Sequence, residues 1–356
     1  MASFVTRLSL ALSFIALALA GFSIYQNTHT AMKGQLKLTP KWLLDNTLES
    51  SVADVLSLRL GISSGKLSDE DCIFSAVKEV VDAAIDAETR MGASLIRLFF
   101  HDWFVDGCDA GLLLNDTPTF TREQTAGGNN NSVTGFEVIQ QAKENVITKC
   151  PYIQVSCADI LSIAARDSFQ RFTGETYTVT LGRLDARTAN LTGANTQLVG
   201  PNEELASQVE KFAAKGFSET ELVALLGVHT VGFSRCPLLC VPIFINPARA
   251  STLQCNCPVS PDDTGLVGLD PTPLTWDQSF YSDVANGQGL LFSDNELMNS
   301  NTTSAAVRRY RDEMDAFLAD FAAAMVKMSL LPPSPGVELE IREVCSEVNA
   351  NTVASM

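Results

Sequence analysis

Arg97-Leu98-Phe99-Phe100-His101-Asp102 is the stretch on which the reading of this chain turns. The apolar spacing around it predicts a helix over 92–104. In such a helix Arg97 and His101 stand four residues apart, so both side chains project to one side. A neutral imidazole beside a guanidinium that never loses its charge suits one chemistry well. The imidazole can take a proton from one oxygen of a peroxide and return it to the other. The guanidinium can offset the charge that develops as the O–O bond opens. A core histidine beside a salt-bridged arginine explains the hexapeptide equally well, so its surroundings decide.

Only three histidines occur in the chain. His29 has no partner nearby in sequence and reads as incidental. His229 ends an apolar run, Leu222-Val223-Ala224-Leu225-Leu226-Gly227-Val228-His229-Thr230-Val231-Gly232. One imidazole among such residues is either a satisfied core histidine or an axial ligand facing a flat apolar macrocycle. Helical periodicity dominates from Cys72 onward. Ile73, Val77, Val80 or Val81, and Ala84 share a stripe at three- and four-residue steps. Further helices are expected over 136–149, 157–173, 203–215, 219–228, 277–286 and 303–329, the last stopped by Pro332-Pro333. Thr176–Leu181 is the best strand candidate. The fold class is therefore mainly α.

The 356 residues suffice for one large domain, and a hydrophobic share of 46% excludes wholesale disorder. A net charge of -16 repels nucleic-acid phosphates and anionic lipid, so neither is an expected partner. Residues 1–20 read as a secretory leader: Arg7 flanks an apolar run from Leu8 to Ala20 that ends in the small-x-small site Ala18-Leu19-Ala20. The run can be extended to Tyr25, so a retained membrane anchor is the alternative. Residues 21–71 form a weakly patterned N-terminal extension. Nine cysteines suit an oxidising compartment, and the odd number leaves at least one without a partner in the chain. A zinc site on Cys236/Cys240 and Cys255/Cys257 competes with disulfides, but the second spacing is tight for it. Asn115-Asp116-Thr117, Asn190-Leu191-Thr192 and Asn301-Thr302-Thr303 are glycosylation sequons.

Context sharpens both histidine clusters. Arg97…His101-Asp102…Phe104-Val105…Gly107-Cys108-Asp109 resembles the distal motif of the plant secretory (class III) haem peroxidases. Val223-Ala224-Leu225…His229-Thr230-Val231-Gly232…Cys236 resembles their proximal motif, and Val155-Ser156-Cys157-Ala158-Asp159-Ile160-Leu161…Ala164-Ala165-Arg166-Asp167 their central helix. The resemblance runs from about Cys72 to Asn349. It implies a peroxidase domain over 72–349, with distal and proximal helical halves sandwiching haem b, and a C-terminal tail over 350–356. It implies Arg97 and His101 as the catalytic pair and Phe100 as the aromatic wall of the distal pocket. It makes Asn129 the acceptor for the distal ring and Glu123 the anchor of that asparagine. His229 becomes the axial ligand and Asp294 the carboxylate behind it. Asp159 and Arg183 match a structural ion pair. Two calcium sites follow, built from hard oxygens. The distal set is Asp102, Asp109 and the carbonyls of Val105 and Gly107. The proximal set is Thr230, Asp270, Thr272, Asp277 and the carbonyl of Thr275. The implied disulfides are Cys72–Cys150, Cys157–Cys345 and Cys236–Cys257, with Cys240 and Cys255 free to pair with each other.

The chain also departs from the pattern. Trp103 stands where the family has a cysteine, which removes a bridge and leaves Cys108 alone. Gly111 stands where the family offers calcium a hydroxyl, so the distal calcium is expected to bind less tightly. Val199 replaces a proline whose carbonyl belongs to the donor site near the haem edge. The expected protein is a secreted monomeric enzyme of the cell wall or vacuole. It reduces hydrogen peroxide and oxidises small phenolic donors one electron at a time. Two readings of other classes compete: a haem-binding, calcium-stabilised scaffold with reduced activity, and a zinc protein.

Overall fold

The computed structural model describes residues 68–236 and 265–350. Expectations for the leader, the extension, the tail and the cysteines at 240, 255 and 257 lie outside the described residues. Helix α1 (Asp69–Ala87) starts on Ser68, whose Oγ accepts from the Asp71 amide, with Asp69, Glu70 and Asp71 complementing the dipole in its first turn. Ile73, Val77 and Val81 of the expected stripe are buried, with Ile85 extending it. Helix α2 (Arg90–Asp106) carries the hexapeptide and stops at Gly107, whose φ of 97° is in the left-handed region that suits glycine. Helices α3 (Phe136–Lys149) and α4 (Cys157–Thr173) complete the distal half, with α1 packing on α3 and α4, and α2 on α4. Ile160, Leu161, Ile163, Ala164, Ala165 and Phe169 of α4 are all fully buried, the pattern of a helix enclosed on every side.

The proximal half follows. Helices α5 (Leu191–Thr196) and α6 (Leu205–Ala214) lead to α7 (Glu219–Leu226), which opens on a capping box between Ser218 and Glu221. Helices α8 (Ser279–Ala285), α9 (Phe292–Glu296), α10 (Asn301–Asp312) and α11 (Met314–Ser329) surround it, with α7 against α10 and α11. Trp276 joins the halves through ring contacts with Phe169 of α4 at 5.2 Å and Phe321 of α11 at 4.8 Å.

Strands are few among the described residues. β1 (Asp185–Ala186) pairs antiparallel with β4 (Leu339–Glu340), and β2 (Phe233–Arg235) with β3 (Leu266–Gly268). Buried Asp185 accepts the amides of Cys157 at 3.1 Å, Ala158 at 2.9 Å and Arg342 at 2.9 Å. It thereby caps α4 and pins the C-terminal segment, where Cys345 bonds to Cys157. Cys72–Cys150 is also formed. Cys236 is in a disulfide whose partner lies outside the described residues, so it is no thiolate ligand for zinc.

Three expectations need correction. Thr176–Leu181 alternates in burial as a strand should, with Tyr177 and Val179 inside, yet no strand lies alongside it among the described residues. The single helix over 303–329 is two, because the chain leaves helical angles at Glu313 (φ -128°, ψ 88°). The bend lets Tyr310 and Phe317 both reach the core, 6.0 Å apart, and burial of two rings outweighs local helix preference. Helix α7 tightens after Leu226 into a 3₁₀ turn, Gly227–Thr230, that carries His229.

Candidate active site

On the distal side, α2 presents Arg97, Phe100 and His101. His101 Nδ1 lies 2.6 Å from Asn129 Oδ1. The Asn129 Nδ2 group donates to the carbonyl of Glu123 at 2.9 Å, which fixes the amide with its oxygen toward the imidazole. Nδ1 must therefore carry the proton, and Nε2 is the basic nitrogen. Glu123 acts on Asn129 through its backbone. Its buried carboxylate instead accepts the Asn190 amide at 2.8 Å, and burial pushes its pKa up to about 7. Arg97 donates to the carbonyls of Ser132 and Gly128, each at 2.9 Å, so one loop orients both members of the pair. Burial pulls its pKa down to about 10, still cationic at neutral pH, and no carboxylate pairs with it among the described residues. Burial first, and Arg97 second, hold the His101 pKa well below the usual histidine range. Phe100 meets His101 edge-on at 5.9 Å and leans on Phe104 at 5.1 Å.

On the proximal side, His229 Nδ1 lies 2.9 Å from Asp294 Oδ1. Asp294 is buried at the start of α9, where its other oxygen accepts the Leu291 amide at 3.2 Å. Phe280, which the sequence reading missed, sets its ring edge against His229 at 5.8 Å. A Cβ on Gly227 would lie 2.1 Å from Tyr281 Oη, so glycine there lets the turn seat against α8. The two histidines are arranged alike. Each thus has Nδ1 committed and Nε2 without a hydrogen bond among the described residues. This donor set fits a haem: an imidazole backed by a buried carboxylate on one side, and a neutral base with a cation on the other.

The oxygen clusters differ. On the proximal side, Thr230 Oγ1 reaches Asp270 Oδ2 at 3.1 Å and the Asp277 carbonyl at 3.1 Å, while Thr272 Oγ1 reaches Asp277 Oδ2 at 2.8 Å. Thr275 closes the loop with its amide on the Thr272 carbonyl at 2.8 Å. Burial pushes Asp270 up to about 6. On the distal side, Asp102 accepts the amides of Ala110 at 3.0 Å and Leu112 at 3.3 Å, and Asp109 accepts that of Gly111 at 3.0 Å. The Gly107 carbonyl accepts the Asp109 amide at 2.9 Å. The Val105 carbonyl accepts the Lys215 ammonium at 2.7 Å, a contact the sequence gave no sign of.

Other named residues fall as follows. Arg183 pairs with Asp159 at 2.8 Å. Val199 is half-buried in a segment braced by Lys211, which donates to the Leu198 carbonyl at 2.8 Å. Trp103 makes ring contacts with Phe104 and Phe217, both at 5.1 Å. Cys108 is buried and donates to the Met328 carbonyl at 3.4 Å. Asn190 caps α5 through Oδ1 and donates from Nδ2 to Asp106 at 2.8 Å. The atom a glycan would need is thus engaged, whereas Asn115 and Asn301 are exposed.

Two helical halves, each offering one oriented histidine, define the class as haem peroxidase. The peroxidase family model matches residues 77–313. An anionic peroxidase of Ipomoea batatas is 75% identical over 99% of this chain and 96% of its own length. A neutral peroxidase of the same plant is 66% identical over 98% and 100%, and a suberization-associated anionic peroxidase of Solanum tuberosum 54% over 99% of each. The chain belongs to the plant haem peroxidase family and is a peroxidase, acting on hydrogen peroxide and a reducing donor.

Proposed function

We propose that this is a secreted peroxidase whose donors are small phenols and whose catalytic pair is His101 with Arg97. The observation that carries the assignment is the Glu123–Asn129–His101 chain, which leaves Nε2 of a buried, neutral imidazole as the base. His229 would hold the haem, which would supply the redox-active iron. His101 Nε2 takes the proton from one peroxide oxygen and delivers it to the other as water leaves. Arg97 offsets the charge that builds on the departing oxygen. Asp294 draws on the Nδ1 proton of His229 and strengthens the ligand as a donor. Phe100 would line the distal pocket and the Val199 carbonyl would belong to the donor site, as the family resemblance implies.

Two calcium ions are part of the reading. Thr230, Asp270, Thr272, Thr275 and Asp277 would hold one next to the axial histidine, and Asp102, Val105, Gly107 and Asp109 the other. Secretion is supported by the leader-like start and by the disulfides. His101→Ala is expected to slow peroxide cleavage by about 10²–10⁴-fold, as removal of an acid–base group does, with the Soret band retained. Stopped-flow rates equal to the parent's would defeat the assignment.

A further inference from the structure

We infer that Tyr152 is a covalent coupling site, at which the enzyme joins its own surface to phenoxyl radicals of the kind it releases. The inference rests on the phenolic-donor reading. Of five tyrosines in the chain, four are described. Tyr177 is 7% exposed and Tyr281 and Tyr310 are 0% exposed, whereas Tyr152 is 104% exposed. Tyr152 is therefore the one phenol among the described residues that solvent reaches from every side.

Its backbone makes the exposure costly. Pro151 and Tyr152 are the central residues of a turn closed by the Ile153 amide on the Cys150 carbonyl at 3.2 Å. Tyr152 has φ of 79°, as the third position of such a turn requires. Glycine or asparagine belongs there, and an aromatic side chain is strained. Cys150 is tied to Cys72 on one side, and Val155 and Cys157 are buried on the other, so the turn cannot relax. A strained position that gains no packing is a pointer to use. What it displays is a phenol, the functional group of the proposed donors.

The chemistry balances with the enzyme's own reaction. A phenoxyl radical takes an electron and a proton from the Tyr152 hydroxyl and becomes a phenol. The tyrosyl radical then joins a second phenoxyl radical through a new bond ortho to oxygen. The hydrogen on the joined ring carbon moves to oxygen and restores the phenol. Each bond formed removes two hydrogens, which reduce one hydrogen peroxide to two waters.

The test is peptide mapping by mass spectrometry of holoenzyme treated with tyramine and hydrogen peroxide. A second arm generates tyramine radicals with hexachloroiridate(IV) and no peroxide. The peptide containing Tyr152 is expected to gain the mass of tyramine less two hydrogens in both arms. Tyr152→Phe should lose that label to background with peroxide turnover unchanged. Tyr152→Gly should lose it too, with a melting temperature equal to or above the parent's, since glycine relieves the positive φ. A bare Tyr152 in the hexachloroiridate arm, or a bare Tyr152 with tyramine consumed in the peroxide arm, overturns the inference. Label in the hexachloroiridate arm with tyramine left unconsumed in the other overturns the phenolic-donor reading instead.

Discussion

Asn129 Oδ1 sits 2.6 Å from His101 Nδ1 because Asn129 Nδ2 is held by the Glu123 carbonyl. The amide cannot flip without losing that second bond, so the distal imidazole has one tautomer and one orientation. Asn129→Val keeps the volume and removes the acceptor. Peroxide cleavage should slow about 10–100-fold, the usual loss when an orienting partner of a functional histidine goes. Stopped-flow rates within twofold of the parent would show that the contact is only structural.

The pH profile has a definite sign. Burial and Arg97 lower the His101 pKa, and the Asn129 bond raises it. Only neutral His101 accepts the peroxide proton. The bimolecular rate should therefore stay level as pH falls through 6.5 and decline well below it. Arg97→Leu removes the positive neighbour, so the declining limb should move up toward neutral pH while the plateau drops. A limb that stays in place in that variant would contradict the assignment.

Asp294→Asn keeps an acceptor for His229 Nδ1 and removes its charge. Haem should remain bound and the iron's reduction potential should rise. Peroxide cleavage should fall about tenfold or more. Spectroelectrochemical titration of the two proteins checks the direction, and an unchanged potential would mean the carboxylate does not act through the ring.

Calcium should bind unequally. Gly111 brings no hydroxyl, and the Lys215 ammonium occupies the Val105 carbonyl that a distal ion would need. A cation already on that oxygen opposes a second one. Calorimetric titration of chelator-stripped protein should give one tight and one weaker step, and Asp109→Asn should abolish the weaker. Two equally tight sites would refute this.

Cys108 should be inert in the folded protein. Burial pushes its thiol far above the usual range, and reagents need the thiolate. N-ethylmaleimide should leave its peptide unmodified until denaturant is added. Cys108→Ala should cost about 1–2 kcal/mol in urea unfolding, for a lost contact and a small void.

The sequence carried these features unequally. Helix α4 was legible from its apolar periodicity, and α2 from Arg97 and His101 standing at helical spacing. The bend at Glu313 was not, since no glycine or proline marks it and the cause is a pair of aromatic rings seven residues apart. Thr176–Leu181 showed its inside and outside faces, but pairing depends on a distant neighbour that periodicity cannot report. Asp294 and Asp270 were identified through family resemblance, because a carboxylate behind an imidazole or in an oxygen cluster has no local signature. Phe280 and Lys215 were missed for the same reason: their partners lie 51 and 110 positions away.

The anchoring of the last strand has a consequence for biosynthesis. Asp185 holds the amides of Cys157 and Arg342 together, and the Cys157–Cys345 bond spans 188 positions. Nothing can seal the centre until the ribosome has delivered almost the whole polypeptide. A nascent chain arrested before Cys345 would leave Cys157, at the head of α4, open to wrong pairing. Chains cut short by even a dozen codons before that point should therefore fail to fold and be degraded.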